Sequence, residues 1–237
     1  MRNDIQLLEL LLKDQSLSLP NENTYISWAT DDYCVTDEMG DNSPFGFNAQ
    51  ITPELISSHP DLIQPRIKKQ PSMQTSRSKS RAEVFTPAWI CNAQNNLVDE
   101  QWFGRKDVFN TEYINEEGEH RWLTSKPPIV FPAKRSWMSY VRARRMEITC
   151  GEGPYLISRY DATTGRLIPI SERIGMLDRK FRIINENTPS EPTKANKRQW
   201  IRKAYQALQS IYGFDSQGDN VFLTRESLFP SFCEYYT

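Results

Sequence analysis

No stretch of this sequence approaches the roughly 20 consecutive apolar residues that a transmembrane helix needs. The leucine-rich start, Met1 to Leu12, is interrupted by Asp4 and Glu9. No small-residue cleavage site follows it, so it does not read as a secretory signal. Cysteine is sparse: Cys34, Cys91, Cys150 and Cys233 are irregularly spaced, with no Cys-x-x-Cys pair. That argues against structural zinc or a disulfide framework and implies reduced thiols in a cytoplasmic protein with no metal and no membrane partner. His59 and His120 are the only histidines, and they stand alone, so surface or structural roles outweigh catalysis. Neither sign of charge dominates. Lys+Arg is 29 against Asp+Glu 30, a formal net charge of -1, which excludes a global nucleic-acid-binding coat but leaves room for a local basic face. No internal repeat is visible.

What is present suffices for a core: 38% hydrophobic and 11% aromatic residues in 237. At roughly 100–200 residues per domain, that is one large domain or one domain with an extension. Asn3 or Asp4 is placed to cap a helix through Ile5, Leu8, Leu11 and Leu12. Leu7 and Leu10 widen its apolar face, which would pack against the body of the protein. Thr24 to Thr30 alternates like a strand, and 36–60 is rich in loop formers. Lys68 to Arg81 is polar and reads as a linker or arm, with Arg77, Lys79 and Arg81 able to touch DNA as the competing reading. The boundary falls near residue 82, dividing an extension (1–82) from a main domain (83–237).

In the main domain Pro87 suits the first turn of a helix over Ala82 to Leu97. Ile129-Val130-Phe131 reads as a short strand, and Met146 to Cys150 as another, running into Gly151-Glu152-Gly153. Ser171 to Ile184 has helical spacing, and a second helix spans Trp200 to Ser210. Ile211 to Asp215 is a strand, and a further helix begins at Asn220. Lys134, Arg135, Arg142, Arg144 and Arg145 cluster around Trp137 and Tyr140. DNA contact and a solvated face with an aromatic underside are both open for them. Trp89, Trp102 and Trp122 read as core residues, and Asn92, Asn95 and Asn96 as polar groups of which one could reach a ligand.

A Gly-x-Gly turn after a strand lets backbone approach a ligand closely. Alone it is weak evidence. Here Glu147 sits four residues before Gly151, and a second strand ends in an acid, Asp215. In a doubly wound sheet both acids lie at the carboxyl ends of strands, where small ligands bind, and the second is placed to accept from ribose hydroxyls.

Glu147 to Leu156 resembles motif I of the adenine-specific DNA methyltransferases, Asp-Pro-Ala-Cys-Gly-x-Gly-x-Phe-Leu. Glu147 takes the aspartate, Thr149 the alanine, Cys150 the cysteine, Gly151 and Gly153 the glycines, and Tyr155-Leu156 the final pair. Glu83-Val84-Phe85-Thr86-Pro87 resembles motif X. Tyr212 to Asp215, followed by Thr224 to Leu228, resembles motif II. The chain is similar over most of its length to the restriction endonuclease subunit M group. Further carrying segments are Trp28 to Tyr33, Glu83 to Asp99, Glu147 to Asp161, Arg173 to Lys180 and Gln217 to Asn220. The resemblance implies an α/β protein with a partial Rossmann-like methyltransferase fold and an N-terminal α+β extension. It implies S-adenosylmethionine as cofactor, held by Phe85, Thr86, Pro87, Glu147, Thr149, Gly151, Gly153, Tyr155 and Asp215, and DNA as a partner. Ile174 to Asp178 is an alternative strand-plus-acid for motif II; Asp215 is preferred because Asp178 lies in helical spacing.

The departure is an absence. The family's catalytic Asp/Asn/Ser-Pro-Pro-Tyr/Phe loop is missing, and the one Pro-Pro lies in Lys126-Pro127-Pro128-Ile129. There Lys126 has no acceptor and Ile129 no aromatic ring, so a strand-entry loop is the better reading. The sequence ends at Thr237, so no strands are left to complete the sheet. Two readings follow. One is the cofactor-binding part of a methyltransferase from a restriction–modification or phage-defence system. The other is a non-catalytic module acting through a protein partner or as a homo-oligomer, with Phe229, Phe232, Tyr235 and Tyr236 beside an open sheet edge.

Overall fold

The computed structural model describes residues 2–16, 24–34, 43–81 and 83–236. The expected boundary residue, Ala82, and part of the expected 36–60 loop lie outside these. The chain divides into two compact units: 1–84 with 215–226, and 85–214 with 227–237. The architecture is mixed α/β, with eight α-helices and two small sheets among the described residues.

In the first unit, helix α1 (Ile5–Leu12) is capped by the Asp4 carboxylate, which accepts from the Leu7 amide. Leu8 and Leu12 are buried and meet α2 (Pro53–Ser58) in a core with Trp28, Ile51, Ile56 and Phe222. The expected apolar face is narrower than its sequence, since Leu10 is 71% exposed. No strand forms over Thr24 to Thr30. Only isolated bridges do, Lys13 with Tyr25 and Ser27 with Gln50. The extended run stops at Ala29, whose φ of 51° turns the chain out of the ladder.

The expected linker is the larger correction. Arg66–Lys68 is a 3-10 turn and Pro71–Arg81 is helix α3. Arg77 faces inward, fully buried. Its Nε donates to Glu83 at 2.5 Å, its Nη1 to Asp32 at 3.0 Å and its Nη2 to Asp219 at 3.1 Å, with Gln217 also accepting. A helix with no apolar stripe is held by ion pairs in place of hydrophobic burial. Arg77 is therefore not available to DNA, whereas Lys79 on the same helix is exposed.

In the second unit, α4 (Ala88–Phe103) begins six residues after the expected Ala82, with Pro87 at the cap position and not inside the first turn, and ends at Gly104 in the left-handed region. A hairpin follows, β1 (Asn110–Ile114) antiparallel to β2 (His120–Thr124). Ile129-Val130-Phe131 is not a strand. Ile129 is buried in the core, and its amide donates to the Glu186 carboxylate at 2.7 Å, so no ladder partner is needed. Helix α5 (Trp137–Val141) leads into β3 (Arg145–Ile148). Then come α6 (Met176–Asn187), α7 (Lys194–Leu208), β4 (Ile211–Phe214) and α8 (Gly218–Tyr235). The first part of α8 belongs to the first unit and Ser227 onward to the second.

Strands β3 and β4 pair in parallel, Met146 with Tyr212 and Ile148 with Phe214. A parallel pair needs a long crossover, and α6 and α7 lie within it. The core of this unit gathers Phe103, Tyr140, Leu177, Phe181, Trp200 and Tyr235. Phe232 and Tyr236 pack against it, so of the four aromatics expected beside an open edge only Phe229 is exposed.

A polar network runs through this core. Asp99 accepts from Arg179 Nη1 at 2.6 Å and from the Tyr140 hydroxyl at 2.7 Å, while Arg179 Nη2 donates to Asn92 and Asn96. Asn95 donates to the carbonyls of Tyr155 and Ile174. The three asparagines on α4 thus pin that helix to its neighbours, and all three make bonds within the protein.

Candidate functional site

The segment from β3 through the glycine turn draws together most of the residues expected to hold a cofactor. The ladder extends one step past the strands, because the Cys150 amide donates to the Phe214 carbonyl at 2.9 Å. The chain then reverses: Gly151 has φ 54°, Gly153 has φ 71°, and the Gly153 amide donates to the Cys150 carbonyl at 2.7 Å. A Cβ at Gly151 would come within 3.2 Å of the Phe85 ring, so the glycine accommodates that ring. Gly213, opposite Glu147, packs closely too; a Cβ there would lie 2.8 Å from Leu156. Phe85 and the turn, which the resemblance pairs across 66 residues, are thus in contact.

The Tyr155 phenol lies beside Thr86 and Cys91, and Asn95 of α4 donates to the Tyr155 carbonyl at 3.1 Å, tying the end of the turn to α4. Burial raises the Tyr155 phenol above its ordinary value, with the Cys91 thiol and Glu147 adding to it. Burial pushes the Cys91 thiol up to about 12, and the negative Glu147 adds to that. Cys91 is therefore a neutral packing group at physiological pH.

Two features depart from the expected turn. No helix opens after Gly153; the next α-helix is α6, at Met176. The turn therefore offers no helix N-terminus to a phosphate. The start of α4 is occupied as well, since the Ala88 amide donates to Asp161 at 2.9 Å. Burial pushes the Asp161 carboxyl up, but hydrogen bonds from Thr163, Ala88 and Thr164 outweigh this and hold it below its ordinary value. Sequence reasoning gave Asp161 no role, although the Asp-Ala-Thr-Thr-Gly run is a recognisable side-chain-stabilised turn.

Thr149 carries strain. Its φ is 55°, a region that β-branched residues avoid, and its hydroxyl donates to the Ile148 carbonyl at 2.6 Å. Thr149→Gly is expected to raise stability by roughly 1 kcal/mol, relief of the left-handed strain exceeding the entropy cost of glycine. Chemical denaturation reads this, and a loss of stability would show that the threonine is unstrained.

Asp215 lies in the first unit, where its carboxylate accepts from the Gln217 amide at 2.9 Å. Asp178, the alternative acid, ends no strand. It sits in the first turn of α6, buried, accepting from the Ser158 amide and hydroxyl at 2.8 and 3.0 Å and from the Gly175 amide at 3.2 Å. Its role is to hold the α6 N-terminus.

The basic cluster divides. Arg145 is partly buried, 3.5 Å from Asp99 and over the Tyr140 ring. Arg135 lies over Trp102 and donates to its carbonyl. Arg142 is exposed and donates to Gln206 at 3.2 Å, and Lys134 and Arg144 are also exposed. Among the described residues no three His, Cys, Asp or Glu side chains are grouped to hold a metal, and no helix is long and apolar enough to cross a membrane.

No family model, curated protein or solved structure matches the chain.

Proposed function

We propose that this chain is the cofactor-binding part of an S-adenosylmethionine-dependent DNA adenine methyltransferase-like protein, of a restriction–modification or phage-defence system, on a partial Rossmann-like fold. The observation that carries the reading is the in-register parallel pair β3–β4, with the Gly151–Gly153 turn directly after β3 and the Phe85 ring against it. The residues present suit a nucleoside cofactor: an aromatic ring, a turn of positive-φ backbone, and the polar groups of Thr86, Glu147, Thr149 and Tyr155. These, with Pro87, would hold S-adenosylmethionine, which supplies an electrophilic methyl group when bound. The exposed cations Lys134, Arg142 and Arg144 are the DNA-contacting candidates.

The second reading, a non-catalytic module acting through protein partners, is favoured by the Pro-Pro segment. Ile129 is committed to the core and its amide to Glu186, so the segment presents neither an acceptor side chain nor an aromatic ring to a flipped adenine. A partner is proposed in both readings. Parallel sheets are ordinarily covered on both faces. Here Met146, Ile148, Tyr212 and Phe214 share one face and are 56%, 66%, 41% and 56% exposed.

Calorimetry with S-adenosylmethionine and its demethylated product, beside tritiated-methyl transfer to mixed-sequence duplex DNA and a light-scattering mass, separates these readings. Cofactor binding that Glu147→Ala weakens, without methyl transfer, supports the first. No binding by the wild type supports the second. Robust methylation by a purified monomer would overturn both, because the groups that position the target amine are absent from this chain.

A further inference from the structure

Away from the glycine turn, the second unit has a cavity of about 400 Å³ lined by α4, the β1–β2 hairpin and the 161–166 turn. That volume lies in the range of small-ligand sites. We propose that it binds a nucleotide, the base on an aromatic wall and the phosphate on Arg166, independently of any S-adenosylmethionine site.

The aromatic wall comes from three residues that the sequence reading left to structural roles. His120 and Trp122 are two apart on β2 and so share a face. The His120 imidazole stacks on the Trp89 indole at 3.8 Å with 7° between planes. His120 is nonetheless exposed, so the Trp89 contact leaves part of it accessible to a further planar group. The Trp122 indole nitrogen donates to the Glu172 carbonyl at 2.8 Å, which fixes that ring before any ligand arrives. None of the three indole and imidazole rings belongs to the hydrophobic core. Stacking platforms of this kind accept any base, because every base has a π-face.

The charges select an anion. The cavity has two acids and two arginines. Asp161 is taken up by Ala88, Thr163 and Thr164, and Glu119 by Arg121 at 2.5 Å and Asn115 at 2.9 Å. Arg121 is thereby ion-paired. Arg166 is exposed, has no hydrogen-bonded or ion-paired acid among the described residues, and senses Glu119 only through space. A guanidinium beside aromatic faces matches a phosphate attached to a base. A free mononucleotide and a nucleotide within a single strand share this chemistry.

The test titrates the full chain, without S-adenosylmethionine, with adenosine, AMP and a fluorescein-labelled ten-residue oligothymidylate. Tryptophan quenching and anisotropy are the readouts. AMP is expected to bind about tenfold more tightly than adenosine. Arg166→Ala should abolish that difference, and His120→Ala should weaken both nucleoside ligands about tenfold while His120→Phe restores them. AMP binding assigns a mononucleotide site; binding of the oligonucleotide alone assigns a single-strand site. Arg166→Ala removes an exposed side chain, so its fold is expected to be intact. The proposal is overturned if neither AMP nor the oligonucleotide binds at millimolar concentration, or if Arg166→Ala leaves the AMP-to-adenosine ratio unchanged.

Discussion

Arg77→Met is expected to destabilise the protein by about 3–5 kcal/mol in guanidinium unfolding at pH 7, the range for breaking a buried pair from one side. Around Arg77 are Asp32, Glu83 and Asp219, with Lys69 as a second cation at 2.9 Å from Asp219. Three carboxylates against two cations is a slight excess of negative charge. Without Arg77 only Lys69 remains, and Glu83 and Asp219 are left buried with weak compensation. Asp219 shows the balance. Burial pushes its carboxyl up, while Lys69 and Arg77 pull it below the ordinary value, helped by hydrogen bonds from Lys69 and Tyr33. In the variant the carboxyl would rise, so unfolding should begin at a higher pH on acid titration. Its stabilising effect is present above the unfolded pKa and lost as pH falls through the folded one. Asp219→Asn placed in the Arg77→Met background should cost far less than in the wild type, since the two groups compensate each other. Lys79→Ala, on the exposed side of the same helix, is the control and should change stability by less than about 0.5 kcal/mol. A loss below about 1 kcal/mol in Arg77→Met would mean that α3 is not anchored by this network.

The second large effect concerns Lys180. Its side chain is fully buried on α6, donating to the Ala143 carbonyl at 2.6 Å and to the Ser210 hydroxyl. Neither acceptor carries charge. Burial therefore lowers the ammonium to about 7, with Arg145 adding repulsion and Asp99 opposing it. The sign follows directly. Between pH 7 and the ordinary lysine range the unfolded chain holds this proton and the folded chain releases it, so stability rises with pH. Above pH 9 the trend reverses, because burial also raises Cys91 and Tyr140, which keep protons that the unfolded chain loses. Unfolding free energy should thus climb from pH 7 to a maximum near pH 9. Lys180→Met keeps most of the side-chain length and removes the charge. It is expected to stabilise the protein by several kcal/mol at pH 6 and by clearly less at pH 9, leaving a flatter profile. The Ser210 hydroxyl keeps the carbonyls of Val141 and Ala207 as partners, so only Ala143 loses a donor. A variant equally stabilised at both pH values would show that Lys180 keeps its proton in the folded protein across this range.

Local chemistry made several elements readable from the sequence alone. Helix α1 followed from Asp4 and its leucines, and the start of α4 from Pro87. The body of α6 followed from Leu177, Phe181 and Ile184 at helical spacing, and the turn after β3 from two glycines only two residues apart. Each is a short-range signal, set by capping, by backbone freedom or by a period of 3.6 residues. That Ile148 and Phe214 end adjacent parallel strands was also anticipated, from an acid-bearing strand pattern and the family resemblance. Other features had no local signature. Pro71–Arg81 has no apolar stripe, and its helix exists because Arg77 meets carboxylates from residues as distant as Asp219. The Thr24–Thr30 alternation looked like a strand, but with Ala29 turned to positive φ only single bridges formed. Trp89 and His120 lie 31 residues apart and read separately as a core aromatic and an isolated histidine. Sequence spacing cannot show that a hairpin returns one ring onto the other. The chain's own residues determined where helices could start and where the backbone could turn, since those depend on neighbours within a few positions. Which charges meet, and which aromatic faces are left open, depended on long-range packing and was decided only in three dimensions.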